Sequence, residues 1–222
     1  MRTITDSTVT EPKQPSYRRT ILLWIGATVV IVSLYFGWRL TQDLPLVGIP
    51  QMHGFVMQQP VPIGNFTLTA HTGKSVALSD YRDQIVLIYF GYTHCPDVCP
   101  ATMLHLAKAR ASLKPKYQDD VQVFMVTIDP ERDTPELLAE YLAHFDGTFI
   151  GLTGAPEEIA AAAAPLGIFY EKQVVDEAEG YFMDHTATVA LLDRNGRLRL
   201  VWPFGVSAED MASGLNYFVR ER

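Results

Sequence analysis

The run Ile85-Val86-Leu87-Ile88-Tyr89-Phe90, followed closely by Cys95 and Cys99, constrains this chain more than any other stretch. An unbroken series of β-branched, aliphatic and aromatic residues does not suit a strand with one wet face, so it predicts a strand buried on both sides. Gly91-Tyr92-Thr93-His94-Cys95-Pro96-Asp97-Val98-Cys99-Pro100 then leads into Ala101 to Leu113, where Met103, Leu104, Leu106, Ala107 and Ala111 recur near helical period before Pro115. A central strand feeding a helix is the unit of an open α/β sheet. It places both thiols in the crevice beyond the strand's carboxyl end, where such sheets bind ligands.

The flanking pattern extends the same architecture. Phe66 to Thr69 and Val76 to Leu78, split by His71-Thr72-Gly73-Lys74, predict a hairpin, and Val121 to Ile128 a second buried strand. Thr134-Pro135 reads as an N-cap with proline at the first helical position, opening a helix to His144. Phe149 to Leu152 reads as a short strand, and the alanine-rich Ala155 to Leu166 as a helix. Phe169 to Val174, Thr186 to Leu192 and Leu198 to Val201 read as strands, the last two joined by the turn Asp193-Arg194-Asn195-Gly196. Ser207 caps a closing helix to Val219, with Glu209 and Asp210 in its first turn. The order β-β-β-α-β-α-β-α-β-β-β-α predicts a thioredoxin-like α/β fold, a central mixed sheet flanked by helices.

Ahead of this domain, Thr20 to Trp38 is 19 residues without a charge. That is enough helix to cross most of a hydrocarbon core of roughly 30 Å, longer than a cleaved signal's apolar region, and no small-residue cleavage site follows. The expected organisation is a cytoplasmic tail over 1–19, a transmembrane anchor over 20–40, an extended linker over 41–63 marked by Pro45, Pro50, Pro60 and Pro62, and the thioredoxin-like domain over 64–222. Lys13, Arg18 and Arg19 before the span, against Arg39 after it, keep the tail inside and export the domain. Asp6 and Glu11 argue against a mitochondrial presequence, so the expected location is a bacterial inner membrane with the domain in the periplasm and the anchor in lipid. Beyond residue 40 the chain carries 13 Lys and Arg against 23 Asp and Glu, about −10 in net charge, which excludes nucleic acid as a natural partner.

Cys95 and Cys99 are the only two cysteines of the chain. A disulfide closing so short a loop would constrain little of the unfolded chain, so chemistry is a better account of them than stapling. At a helix N-terminus, free N–H groups and the helix dipole lower a thiol pKa and favour the thiolate, which is both nucleophile and metal ligand. Four positions apart in a helical turn, the sulfurs share a face and suit either a disulfide or a shared ion. Spacing alone does not choose. His185, before a strand expected beside the central one, is placed equally well to face them or to pack. Asp184 is a candidate to orient that imidazole, and Asp129, at a strand end, to tune a thiol or form a turn before Pro130. The remaining histidines read as surface groups, and Met52, Met57, Met103 and Met183 as packing.

Ile88 to Pro100, IYFGYTHCPDVCP, together with Thr127-Ile128-Asp129-Pro130-Glu131-Arg132-Asp133 and Asp184-His185, resembles the Sco/SenC family of copper proteins. The resemblance implies a metal site of Cys95, Cys99 and His185 for one copper ion, Cu(I) or Cu(II), with Asp184 and Asp129 as candidate supporting groups. It further implies a metallochaperone, rather than an enzyme, that assists assembly of the dinuclear copper centre of cytochrome c oxidase. The implied partners are the oxidase's copper-binding subunit and other periplasmic copper chaperones. Two soft thiolates suit Cu(I), and an added imidazole suits Cu(II); zinc accepts the same ligand types. The competing reading is a thiol-disulfide oxidoreductase that reduces the subunit's cysteines through Cys95 and Cys99. Against a general oxidoreductase, the cysteines are one residue further apart than C-x-x-C, and His185-Thr186-Ala187-Thr188 carries no proline. A peroxidase site fits the C-P-D-V-C-P context poorly.

Overall fold

The computed structural model describes residues 17–43, 52–176 and 180–221, in two units divided between Ile49 and Pro50. The first unit holds α1 (Tyr17–Asp43), a helix of 27 residues. Within it Ile21–Arg39 has a mean hydropathy of 2.0, and none of that surface is buried against protein. By length and composition it is compatible with a membrane anchor, in agreement with the expected span. Helix already begins at Tyr17, inside the expected tail, while residues 1–16 lie outside the described residues.

The second unit runs β1 (Phe55–Pro62), β2 (Thr67–Ala70), β3 (Ser75–Ala77), β4 (Ile85–Gly91), α2 (Val98–Ala111), α3 (Pro115–Gln118), β5 (Val121–Thr127), α4 (Pro135–Ala143), β6 (Ile150–Thr153), α5 (Pro156–Ala163), β7 (Tyr170–Asp176), β8 (Gly180–His185), β9 (Val189–Leu192), β10 (Arg197–Trp202) and α6 (Ala208–Phe218). Eight of the strands form one sheet in the order β1-β10-β9-β4-β5-β6-β2-β3. The centre β4-β5-β6 is parallel and the remaining pairings are antiparallel. Every residue of β4 is buried, as its unbroken apolar run requires. Thr134 and Ser207 cap their helices as expected, accepting the N–H of Leu137 and of Asp210.

Three features depart from the pattern. Residues 55–62, inside the expected linker, are extended but belong to the sheet: β1 pairs with β10, and Ile63 behind it is buried. As an edge strand β1 tolerates Pro60 and Pro62, whose missing N–H groups would break a central ladder. Residues 186–188 join no strand, so the expected strand from Thr186 starts at Val189. In place of its first half, β8 ends at His185 and folds against β7 as a separate two-stranded hairpin.

Candidate metal centre

The thiol loop leaves β4 at Gly91, whose carbonyl accepts the Ile128 N–H at 2.9 Å, and re-enters regular structure at Val98. Cys99 therefore lies in the first turn of α2, fully buried, and Cys95 just ahead of it, half-buried; both are free thiols. The Cys99 N–H, one of the unpaired donors of the helix start, points at Cys95 Sγ from 3.4 Å. Tyr89, one side chain back on β4, donates its hydroxyl to Cys99 Sγ at 3.3 Å. His185 arrives from the hairpin, with Nε2 3.7 Å from Cys99 Sγ and its ring edge-on to Tyr89 and Tyr92, centroids 6.1 Å away in each case. Residues 86 positions apart in sequence thus meet at one sulfur.

The electrostatics divide the two thiols. A hydrogen bond from the Cys99 thiol, helped by His185 and by the N–H groups of Asp97 and Cys99, outweighs burial and takes Cys95 down to about 3. The same bond, reinforced by burial, pushes Cys99 up. Burial, followed by the neighbouring Cys99 sulfur, also pushes Tyr89 up, so its hydroxyl remains a donor at neutral pH. The arrangement is one half-buried thiolate backed by a protonated, fully sheltered thiol.

A Cβ on Gly91 would lie 2.6 Å from the Tyr89 ring and 3.1 Å from Cys99 Sγ. Both neighbours are fully buried and have little freedom to move. Gly91→Ala is therefore expected to cost about 1–3 kcal/mol in urea unfolding and to displace Cys99, whereas an insensitive midpoint would mean that the site relaxes freely.

Two carboxylates of the turn between β5 and α4 buttress the site. Asp133 is buried and accepts the Thr93 N–H, the Thr93 hydroxyl at 2.6 Å and the Thr127 hydroxyl at 2.6 Å, tying the thiol loop to the end of β5. It lies inside the motif that carried the family likeness, but only the convergence of two threonine hydroxyls reveals its role. Asp129, considered above as a tuner of the thiols, is also buried, and it accepts from Arg132 Nε at 2.5 Å and Tyr181 Oη at 2.8 Å. Asp184 is exposed, opposite Glu171 in the hairpin. The candidate bond from Asp184 to the imidazole is not formed: adjacent strand residues face opposite sides, and His185 Nδ1 is buried without a partner. Of the histidines read as surface groups, His71 instead accepts the Gly151 N–H and His105 contacts the Val206 carbonyl, both half-buried.

Among the described residues no three His, Cys, Asp or Glu side chains already form a finished metal cage. The donors nevertheless suit a copper ion chemically, being two sulfurs and an imidazole. Ligands held at ~2.3 Å (S) and ~2.05 Å (N) from one ion lie about 3.6–3.8 Å apart, a span that the Cys99–His185 separation of 3.7 Å meets. The orphaned His185 Nδ1 leaves Nε2 as the nitrogen directed at the sulfurs.

Residues 57–220 match the family model SCO1/SenC. The chain belongs to the SCO1/SenC family. Relatives in this family include the mitochondrial SCO2 homolog of Bos taurus, 35% identical over 92% of this chain and 77% of that protein. An SCO2-like protein of Rickettsia felis is 33% identical over 80% of this chain and 83% of its own length. Among solved SCO1/SenC structures, apo Sco1 of Thermus thermophilus is 38% identical with a TM-score of 0.70, covering 77% of this chain and 99% of that one. ScoI of Bradyrhizobium japonicum, solved with copper bound, is 37% identical with a TM-score of 0.64, covering 70% and 98%. The mixed sheet flanked by helices is thus the thioredoxin-like fold of these Sco proteins.

Proposed function

We propose that this protein is a membrane-anchored copper chaperone that holds one copper ion through Cys95, Cys99 and His185 and assists assembly of the dinuclear copper centre of cytochrome c oxidase. The observation that carries this reading is the approach of His185 Nε2 to Cys99 Sγ, which brings a borderline nitrogen donor to a soft sulfur at a spacing one ion can bridge, with the Cys95 sulfur against the Cys99 N–H beside it. Membership of the SCO1/SenC family and the copper-bound relative from Bradyrhizobium japonicum support it. Copper here is cargo. Three ligands leave a coordination position for a donor from the receiving protein, such as the oxidase's copper-binding subunit or another periplasmic copper chaperone, so the ion passes by ligand exchange. The apolar span within α1 and the basic residues Lys13, Arg18 and Arg19 ahead of that span support a single-pass anchor in a bacterial inner membrane with the domain in the periplasm.

The division between the thiols favours a second reading, reduction of the subunit's cysteines. The half-buried thiolate at Cys95 attacks a target disulfide and releases one target thiolate; the sheltered Cys99 gives its proton to that thiolate and then resolves the mixed disulfide, leaving Cys95–Cys99 oxidised and the target dithiol reduced.

Copper stoichiometry and visible absorption of the reduced full chain in detergent test the first reading. One ion per chain is expected, with thiolate-to-Cu(II) absorption lost in Cys95→Ser, Cys99→Ser and His185→Ala. Failure of the parent to retain copper would leave the dithiol reductase as the better account.

A further inference from the structure

The β7–β8 hairpin that brings His185 to the thiols shares no strand ladder with the eight-stranded sheet, so the usual main-chain bonds do not fix its place. Apolar packing holds it at few points. Met183 is buried, but an open groove of about 220 Å³ runs alongside, between Ile128, Pro130 and Ile159 on the domain and Tyr170 and Lys172 on the hairpin. The connection is instead polar and converges on Tyr181. Its hydroxyl donates to Asp129 at 2.8 Å, its carbonyl accepts from Arg132 Nη1 at 3.0 Å, and the Arg132 guanidinium lies 3.7 Å over its ring. Arg132 in turn donates to Asp129, closing a three-membered network. The Asp129 side chain is only 3% exposed, so its charge-assisted bonds are shielded from water. Beyond this network, Tyr92 bonds the Met183 main chain and His185 itself packs at the thiols, while the Lys172 to Glu131 pair is solvent-exposed and contributes little.

We infer that Tyr181, held by Asp129 and Arg132, is a positioning residue that docks the hairpin so that His185 reaches Cys99. The inference rests on the copper-site reading for its consequence, but not for its structural content. Tyr181, Met183 and His185 alternate along β8 and therefore present one face to the body of the domain. With Tyr181 pinned at one end and Met183 inserted in the middle, the imidazole is delivered to the thiols. A one-residue slip would turn it outward. The β5–α4 turn thereby sets both halves of the site: Asp133 fixes the thiol loop through Thr93, and Asp129 fixes the histidine arm through Tyr181.

The test uses the full chain in detergent as parent, Tyr181→Phe, Asp129→Asn and His185→Ala. Tyr181→Phe keeps the ring over Arg132 and removes only the hydroxyl. In the reduced, copper-free protein, amide exchange in residues 170–185 is expected to accelerate about 10-fold or more in Tyr181→Phe and Asp129→Asn, with β4 unchanged. After loading, thiolate-to-Cu(II) absorption per chain should fall by at least about half in both, while Cu(I) affinity stays within about threefold because the thiolates are untouched. His185→Ala should lose the same absorption with the hairpin exchanging at the parent rate. Unchanged hairpin exchange in both clamp variants overturns the inference. So does acceleration that extends equally to β4, which marks a general loss of stability, or hairpin loosening with absorption intact while His185→Ala abolishes it. If His185→Ala keeps the absorption, it is the copper-site reading that fails, and the copper-free exchange still decides the clamp.

Discussion

In the reduced, metal-free protein, Cys95 is expected to alkylate almost as fast at pH 5 as at pH 8, and Cys99 not at all while the fold is intact. Only a thiolate reacts, and a thiol with the ordinary pKa of about 8.5 loses about 10³-fold in thiolate between those pH values. Cys95 is held down to about 3 by the Cys99 hydrogen bond first, and by His185 and two backbone N–H groups after it. A lowered pKa keeps the thiolate at every pH above that value, so its reactivity declines only as the pH falls toward about 3. The signature is the flat profile rather than high speed, since nucleophilicity falls with pKa at a Brønsted slope of about 0.4–0.5. Cys99 is raised and fully buried, and both effects suppress it. Mass spectrometry of iodoacetamide adducts at matched times measures this directly. A slope near tenfold per pH unit at Cys95 would show that the helix start and its neighbours do not hold the thiolate, and would remove the asymmetry on which the reductase reading stands.

That asymmetry was only half legible in the sequence. The thiols' place at a strand end and helix start follows from one apolar run and one change of period, and it carries the direction of the Cys95 shift with it. The caps Thr134 and Ser207 were equally readable, because N-capping is decided within a single turn. The division between the two thiols was not, since it depends on which sulfur donates its hydrogen bond to the other and which is the more deeply buried. Nor was the work of Asp129 and Asp133. A carboxylate before proline looks like a turn residue until the tyrosine from a hairpin 52 positions later donates to it. Gly180 to His185 hid for a related reason: its exposed face holds Phe182 and Asp184, its inner face Tyr181 and Met183, and this mixed pattern gives no clean alternation.

The chain was hardest to read at β1, and there the structure predicts the largest stability effect. A protein beginning at residue 64, the boundary its prolines suggest, is expected to be less stable than one beginning at Pro50 by about 4 kcal/mol or more, and to aggregate more readily. Ile63 is 7% exposed, and its loss alone removes about 1.5–3 kcal/mol of apolar burial. Met57, packed against the same core, adds a smaller share. Without β1, the ladder groups of β10 at Leu198, Leu200 and Val201 lose their partners, leaving an open edge able to pair with another chain. Gly54 packs so closely there that a Cβ would lie 2.7 Å from the Val201 carbonyl and 2.9 Å from the Trp202 ring, so its removal also uncovers a tryptophan that is otherwise fully buried. Set against a total of about 5–15 kcal/mol for a domain of ordinary stability, such a loss leaves little margin. Urea unfolding of the two lengths at equal concentration decides the matter. Stabilities that agree within about 0.5 kcal/mol would mean that residues 52–63 only lie along the sheet as a tether, and that the energetic boundary of the domain is where the prolines first placed it.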